Sequence, residues 1–198
     1  MKIVHTEASQ GWGGQEIRIL AEAEGLRGRG HEVIIVAPST HRILEEARGR
    51  GLAAVALPIG RKRAPGVIAL RRWLAAERPD VVNTHSSTDS WLVALACAAL
   101  PRPPAVVRTR HVSVPVARSL GNRWLYGRAA AHVVTTGEML REQLIRDNGL
   151  APDRVTSVPT GISPEQFAPG DRAAARRALG LPEAGLLIGT CSIWRESV

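Results

Sequence analysis

The feature that most constrains the fold is the regular alternation of short β-branched runs with longer helical stretches. Runs such as Val33-Ile34-Ile35-Val36 are apolar on both faces, which is typical of parallel strands covered by helices on both sides. Strict alternation with short connections predicts an α/β fold with a doubly wound, Rossmann-like parallel sheet. The predicted strands are residues 2–6, 32–37, 53–57, 81–84, 105–109, 132–136, 155–158 and 186–190.

Breaker residues divide the chain near residue 165. The segment after Val158 contains Pro159, Gly161 and Pro164, and such a cluster is typical of a linker. Beyond it the sequence predicts one helix and one strand, which cannot bury a hydrophobic face by themselves. We therefore expect a Rossmann-like domain at residues 1–164. Residues 165–198 are expected to form a linker with the first helix and strand of an incomplete second domain.

Composition excludes several classes of protein. The chain has 198 residues and a formal net charge of +8, but nearly all of the positive charge is scattered arginine and only 4% of residues are aromatic. This pattern does not favour nucleic-acid binding. Cys97 and Cys191 lie far apart in apolar stretches and are predicted to be reduced thiols. No segment resembles a membrane span, a signal peptide or a metal-binding cluster, so we expect a cytoplasmic protein without a cofactor or metal.

A glycine-rich turn follows the first predicted strand and leads directly into a helix. Gly13 and Gly14 allow a ligand to approach the backbone closely, and the helix N-terminus favours a phosphate or a sugar hydroxyl. The turn is not the G-x-G-x-x-G pattern, and no acidic residue closes the second strand. A dinucleotide dehydrogenase is therefore disfavoured. The alternative is a tight turn that binds no ligand.

Two histidines follow predicted strands at the same edge of the sheet. His85 and His111 each come just after a strand, and open α/β sheets bind ligands at that edge. Imidazole can act there as a base, an acid or a hydrogen-bond donor. The alternative for each histidine is a structural hydrogen bond.

A basic cluster precedes an amphipathic helix. Arg61, Lys62 and Arg63 lead into a helix that contains Trp73, a combination that suits docking on an anionic membrane surface. The apolar residues are few for a membrane helix, which favours an ordinary surface helix instead.

Five motifs in order resemble one known family. They are Gly13-Gly14-x-Glu16, Asp-Val-Val-Asn-Thr-His at 80–85, Arg-Thr-Arg-His at 108–111, Val-Thr-Thr-Gly-Glu-x-x-Arg at 134–141 and Ser-Val-Pro-Thr-Gly-Ile-x-x-x-x-Phe-x-Pro-Gly at 157–170. Together they resemble the N-terminal domain of family 4 glycosyltransferases, which are retaining enzymes of the GT-B fold. The linker departs from the pattern, because Ser163 stands where many relatives have aspartate.

The resemblance implies an acceptor-binding domain in an enzyme whose other domain binds the nucleotide-sugar donor. It implies a catalytic role for His111, which would reach the reacting sugar, and a place for His85 in the acceptor pocket. The full set of implied substrate-binding residues is Gly13, Gly14, Glu16, His85, Arg110 and Glu138.

The implied chemistry is sugar transfer from a nucleotide-sugar to a hydroxyl with retention, assisted by stabilisation of the leaving diphosphate. The implied products are lipopolysaccharide or another cell-surface glycan, made at the inner face of the cell membrane. The donor domain of the family is not found in these 198 residues, so we expect the chain to be inactive alone. The alternative is a non-catalytic acceptor-binding or membrane-recruiting subunit, completed by a separate donor-binding chain.

Overall fold

Seven parallel strands form one sheet. The computed structural model describes residues 1–112, 114–165 and 167–189. The strands are β1 Lys2–Thr6, β2 Glu32–Ala37, β3 Ala53–Ala56, β4 Val81–Thr84, β5 Ala105–Arg110, β6 His132–Thr135 and β7 Val155–Ser157. Their order in the sheet is β3-β2-β1-β4-β5-β6-β7. The predicted parallel, Rossmann-like sheet is confirmed.

Helices connect the strands. They are α1 Gly14–Gly28, α2 Arg42–Gly49, α3 Ala64–Glu77, α4 Ser87–Ala98, α5 Leu120–Trp124, α6 Glu138–Asn148 and α7 Arg172–Ala178. A π-helical turn, Leu125–Ala129, continues α5, and a 3₁₀ turn, Pro152–Arg154, precedes β7. Helix α5 begins at Leu120 because Ser119 caps it, with the Ser119 hydroxyl accepting from the Asn122 N–H at 3.1 Å.

Both faces of the sheet are covered, as a doubly wound sheet requires. On one face Val33 and Ile35 of β2 pack with Ile19 and Leu20 of α1. On the other face, buried side chains of β1, β2 and β4 pack with α3 and α4, among them Leu70. No helix in the described part of the chain is both long and apolar enough to cross a membrane.

The chain divides into two compact units, Met1–Thr160 and Gly161–Val198. Within the second unit, the buried Arg176 of α7 donates to the carbonyl oxygens of Pro182, Glu183 and Gly185 at 2.8–2.9 Å. These bonds fold residues 182–185 back against the end of the helix.

The strand predicted at 186–190 is wrong over residues 186–189, which form no regular structure. Its side chains Leu186 and Ile188 are almost fully exposed. A strand needs a neighbour to pair its N–H and C=O groups, and none of the strands in the described part of the chain pairs with these residues. Residue 190 lies outside the described residues, as does Cys191.

The sheet order positions the site. Strand β1 lies between β2 and β4, so the chain connections run in opposite directions on its two sides. The carboxyl ends of β1 and β4 therefore flank the crevice at which open α/β sheets bind ligands.

Candidate functional site

Three histidines form a diagonal row across the carboxyl ends of β1, β4 and β5. In the sheet, His5 pairs with Asn83 and Asn83 pairs with Val107. Side chains alternate between the two faces of a sheet along each strand. His85 lies two residues beyond Asn83, and His111 lies four residues beyond Val107, so both side chains point to the same face as His5. Each histidine lies one pleat further toward the edge than the one before it. The row therefore runs from inside the sheet to its rim.

The three rings are joined by two hydrogen bonds. His5 Nδ1 lies 3.0 Å from His85 Nε2, and His85 Nδ1 lies 2.9 Å from His111 Nε2. His5 and His85 are only 1% and 2% exposed, whereas His111 is half-buried. His111 thus ends the row on the side that a ligand can reach.

All three imidazoles are neutral at pH 7. Burial lowers the pKa of His5 to about 4, and burial with the nearby charges of Arg18 and Arg108 lowers the pKa of His111 to about 4. The pKa of His85 is also lowered well below its ordinary value, mainly by burial. Each neutral ring carries one N–H donor and one acceptor nitrogen. At the rim, His111 can therefore make directed hydrogen bonds without carrying a charge.

The buried carboxylate of Asp89 fixes the turn that carries His85. It accepts from the His85 N–H at 2.9 Å, the Ser86 N–H at 2.8 Å and the Thr6 hydroxyl at 2.7 Å. These bonds cap α4 and tie the turn to the end of β1. The sequence analysis missed Asp89, although Ser86-x-x-Asp89 before an apolar run is a capping-box signal.

The glycine turn is organised from within by Glu16. Gly13 is the extended N-cap of α1, and its N–H donates to Glu16 Oε2 at 2.8 Å. The buried Glu16 carboxylate is thus committed to the helix cap. Gly14 is exposed, and a Cβ at its position would meet nothing within 4 Å. The space beside Gly14 is therefore open, and the N–H groups of the first turn of α1 have no partners inside the helix.

Glu7, which the sequence analysis also missed, supports the same turn. Its Oε1 accepts from the Ser9 N–H and hydroxyl, both at 2.6 Å, and its Oε2 accepts from the side chain of Gln15. Burial, together with the charge of Asp89, raises the pKa of Glu7 to about 7. This carboxyl therefore titrates near neutral pH at the base of the glycine turn.

Arg18 is a third residue that sequence reasoning did not identify. Its side chain is 5% exposed, and its guanidinium donates to Thr160 Oγ1 and to the Val158 carbonyl oxygen, both at 2.9 Å. Arginine on a helix is usually solvated, so the sequence carries no local signal for this burial.

Arg110 and Glu138 do not join the histidine row. Arg110 points to the opposite face from His111, where it donates to the Tyr126 hydroxyl at 3.2 Å and to the Val114 carbonyl oxygen. It thereby anchors the loop that follows His111. Glu138 begins α6 with its carboxylate 2.6 Å from Arg141 Nη1. The substrate-binding roles of both residues remain predictions.

Within the described ranges, no group of three or more His, Cys, Asp or Glu side chains is arranged to hold a metal ion. The nitrogens of the histidine row instead face one another in the two hydrogen bonds between the rings.

The fold is shared with solved GT-B glycosyltransferases. A glycosyltransferase from Rickettsia africae superposes with a TM-score of 0.71 at 15% identity, over 91% of this chain and 50% of that one. Anabaena HepE in complex with UDP-glucose superposes with a TM-score of 0.68 at 18% identity, with the same coverage.

Sequence comparison identifies the family to which the chain belongs. D-inositol 3-phosphate glycosyltransferase of Stackebrandtia nassauensis is 37% identical over 122 residues, 59% of this chain and 24% of that protein. The Saccharomonospora viridis protein of the same name is 35% identical over 119 residues, 59% of this chain and 25% of that protein. The matches thus span about a quarter of the length of these curated relatives. Glycosyltransferase Family 4 matches residues 12–166, and the chain belongs to that family.

Proposed function

We propose that the unit Met1–Thr160 is the acceptor-binding side of a retaining glycosyltransferase that uses a nucleotide-sugar donor. The observation that carries the proposal is that two features follow the carboxyl ends of strands in the same parallel sheet. The open first turn of α1 at Gly14 follows β1, and the half-buried His111 follows β5. One feature suits a phosphate, and the other suits a sugar hydroxyl.

The open turn of α1 binds a phosphate group in this proposal. Free backbone N–H groups and the helix dipole favour an anion at this position. Gly14 lets the anion approach because no side chain occupies the space. The Glu16 carboxylate accepts from the Gly13 N–H, so it stabilises the conformation of the turn.

The names of the curated relatives support a phosphorylated polyol as the acceptor class. Both are named for D-inositol 3-phosphate, a phosphorylated polyol. A phosphate at α1 and a ring hydroxyl near His111 match the two features of the crevice. A growing lipopolysaccharide or other cell-surface glycan is the alternative acceptor, and it would depend less on the glycine turn.

Ligand binding by the 198-residue chain tests these assignments. We expect inositol 3-phosphate to bind, and the Gly14→Ala variant to lose at least about tenfold in affinity, or about 1.4 kcal/mol. The added methyl group meets nothing in the free protein, so the variant should fold normally. Gly28→Ala is the matched control, because a Cβ at Gly28 also meets nothing within 4 Å and this residue ends the same helix.

Each outcome of the titration decides between acceptors. Equal binding by wild type and Gly14→Ala would show that the phosphate does not bind at the α1 turn. Binding of a glycan fragment but not of inositol 3-phosphate would favour the surface-glycan acceptor. Binding of a nucleotide-sugar alone would overturn the acceptor-side assignment.

In the whole protein, we propose that His111 contacts the reacting sugar. A neutral imidazole can orient a hydroxyl and make a bond that strengthens as charge develops in the transition state. We expect His111→Ala in the whole protein to lower kcat far more than it raises the KM for the acceptor. An unchanged kcat would show that His111 has no catalytic role.

A second candidate function, membrane recruitment, is supported by a groove between α3 and α4. The groove has a volume of about 560 Å³ and is lined by basic and apolar side chains. Ile68 and Leu95 are about half exposed there, beside Lys62 and Arg63. Trp73 packs against the core instead, so it does not contribute to this groove. An apolar patch with a basic rim suits an anionic lipid surface.

Vesicle co-sedimentation tests the recruitment proposal. We expect binding to vesicles that contain phosphatidylglycerol and little binding to phosphatidylcholine vesicles. The double variant Ile68→Ser with Leu95→Ser should reduce binding severalfold, whereas Leu120→Ser, an exposed leucine on α5, should leave it unchanged. Equal binding by all three proteins would exclude this groove.

A further inference from the structure

We propose that His5 and His85 are positioning residues that hold His111 in a single tautomer, with its proton on Nδ1. In this arrangement the histidine row is a hydrogen-bond relay from beneath α1 to the crevice. His111 then presents an N–H donor to a substrate oxygen. The substrate-facing part of this inference rests on the proposed function, whereas the relay itself does not.

The geometry couples the three tautomers. A neutral imidazole has one N–H and one bare nitrogen, and His85 uses both of its nitrogens on its neighbours. If His5 Nδ1 donates to His85 Nε2, then His85 must donate from Nδ1 to His111 Nε2. The proton of His111 is then on Nδ1. The opposite polarity moves every proton to Nε2.

The buried end of the relay selects the polarity. His5 Nε2 is fully buried, and it has no hydrogen-bond partner in the described part of the chain. Among buried polar groups, an N–H without a partner is rarer in proteins than an acceptor that lacks a full set of partners, and we apply the same ordering to the two nitrogens of the His5 ring. His5 Nε2 is therefore the bare nitrogen. It follows that His5 donates from Nδ1 and that the relay runs outward to His111.

The surroundings keep the relay neutral. Burial disfavours a charge on His5 and His85, and Arg18 from α1 and Arg108 from β5 place positive charge near His85 and His111. Protonation of His85 or His111 would also break the pattern, because the added N–H on Nε2 would face the N–H of the neighbouring ring. Nδ1 of His111 is bound by no described residue, so it is available to a ligand. The polarity thus decides whether the crevice offers a donor or a base.

Ring ¹⁵N spectra of the labelled 198-residue chain at pH 7.5 test the relay. We expect His111 to show a protonated Nδ1 and a bare Nε2, with its signals identified by their loss in His111→Gln. His5→Met replaces the inner donor by a thioether, which accepts but cannot donate. This variant should shift the Nε2 signal of His111 toward the protonated position.

Two comparisons complete the experiment. In His5→Asn the amide nitrogen can stand in for Nδ1 and donate to His85, so His111 should keep the wild-type tautomer. His31→Asn, at a half-exposed histidine before β2, should leave the signals of all three rings unchanged.

The relay is overturned by either of two results. One is a wild-type His111 with its proton on Nε2. The other is a His111 tautomer that stays the same in His5→Met. If His5→Met fails to fold, the wild-type and His5→Asn spectra still decide the polarity. The spectra are recorded without ligand, so a failure of the relay is distinct from a failure of inositol 3-phosphate to bind.

Discussion

Arg18 of α1 holds Thr160, the last residue of the first compact unit, across 142 positions of sequence. Its Nη1 donates to Thr160 Oγ1 at 2.9 Å, and its Nη2 donates to the Val158 carbonyl oxygen at the same distance. Its Nε donates to Glu22 at 2.6 Å. Together with burial, which is the larger cause, the charges of Arg18 and Arg108 also lower the pKa of His111. One buried guanidinium therefore fixes the end of the Rossmann-like unit and contributes positive charge near His111.

Loss of this guanidinium should destabilise the protein. We expect Arg18→Met to lower the free energy of unfolding by about 2–4 kcal/mol, because it leaves Glu22 and the Val158 carbonyl without their partner. Arg42→Met is the matched control, since Arg42 forms the same i,i+4 pair with Glu46 but is 59% exposed. The control should cost about 0.5 kcal/mol or less. Urea unfolding measures both, and equal losses would contradict the structural role of Arg18.

Gly66 should tolerate no side chain. A Cβ at this position would lie 2.8 Å from the Pro58 carbonyl oxygen and 3.4 Å from a methyl group of Leu92. Gly66→Ala should therefore cost about 1–3 kcal/mol of unfolding free energy through overpacking. Gly28→Ala, at the exposed end of α1 with open space around it, should be neutral or stabilising by up to about 1 kcal/mol. A thermal-denaturation comparison in which both variants behave alike would refute this packing argument.

The sheet could be predicted from the sequence because its physical cause is local. Buried parallel strands are apolar on both faces, and the run Val33-Ile34-Ile35-Val36 in β2 shows this directly. The predicted strand at 186–190 has the same local pattern, but no strand among the described residues pairs with its residues 186–189. Pairing is not a local property, so the pattern alone could not separate Leu186–Gly189 from the true strands.

The site was only partly predictable for a similar reason. His85 and His111 could be identified because they follow strands, at the edge where ligands bind. His5 lies within a strand and looks like any core residue until the register places it beside His85. The glycine turn was recognised, but the inward direction of Glu16 depends on its bond to the Gly13 N–H. Such contacts across the chain are fixed by tertiary packing.

Glu7 should make stability fall as the pH rises toward neutrality. Its folded pKa is raised to about 7 from an ordinary value of 4.5, so between these values the folded state binds more protons than the unfolded state. The free energy of unfolding then decreases with pH across this window, by about 3 kcal/mol in all. Glu7→Gln removes this dependence and should be more stable than wild type at pH 8.

A comparison of wild type and Glu7→Gln at low pH serves as the control. Below pH 4.5 the wild-type carboxyl is protonated in both states, so wild type and Glu7→Gln should then differ little. Chemical denaturation at pH 4, 6 and 8 follows the difference between them. A difference that does not grow with pH would show that Glu7 is ionised at no unusual cost.

His5 should produce the opposite dependence. Its folded pKa is lowered to about 4 from 6.5, so between these values the unfolded state binds more protons. The contribution of neutral His5 to stability is complete above pH 6.5 and is lost as the pH falls to about 4, a change of about 3 kcal/mol. His5→Leu removes this titration, so the stability of wild type relative to the variant should fall with acidification across that window. Unfolding by urea at pH 7.5, 5.5 and 4 measures the difference, and a constant difference would mean that His5 can be protonated without leaving its buried position beside His85.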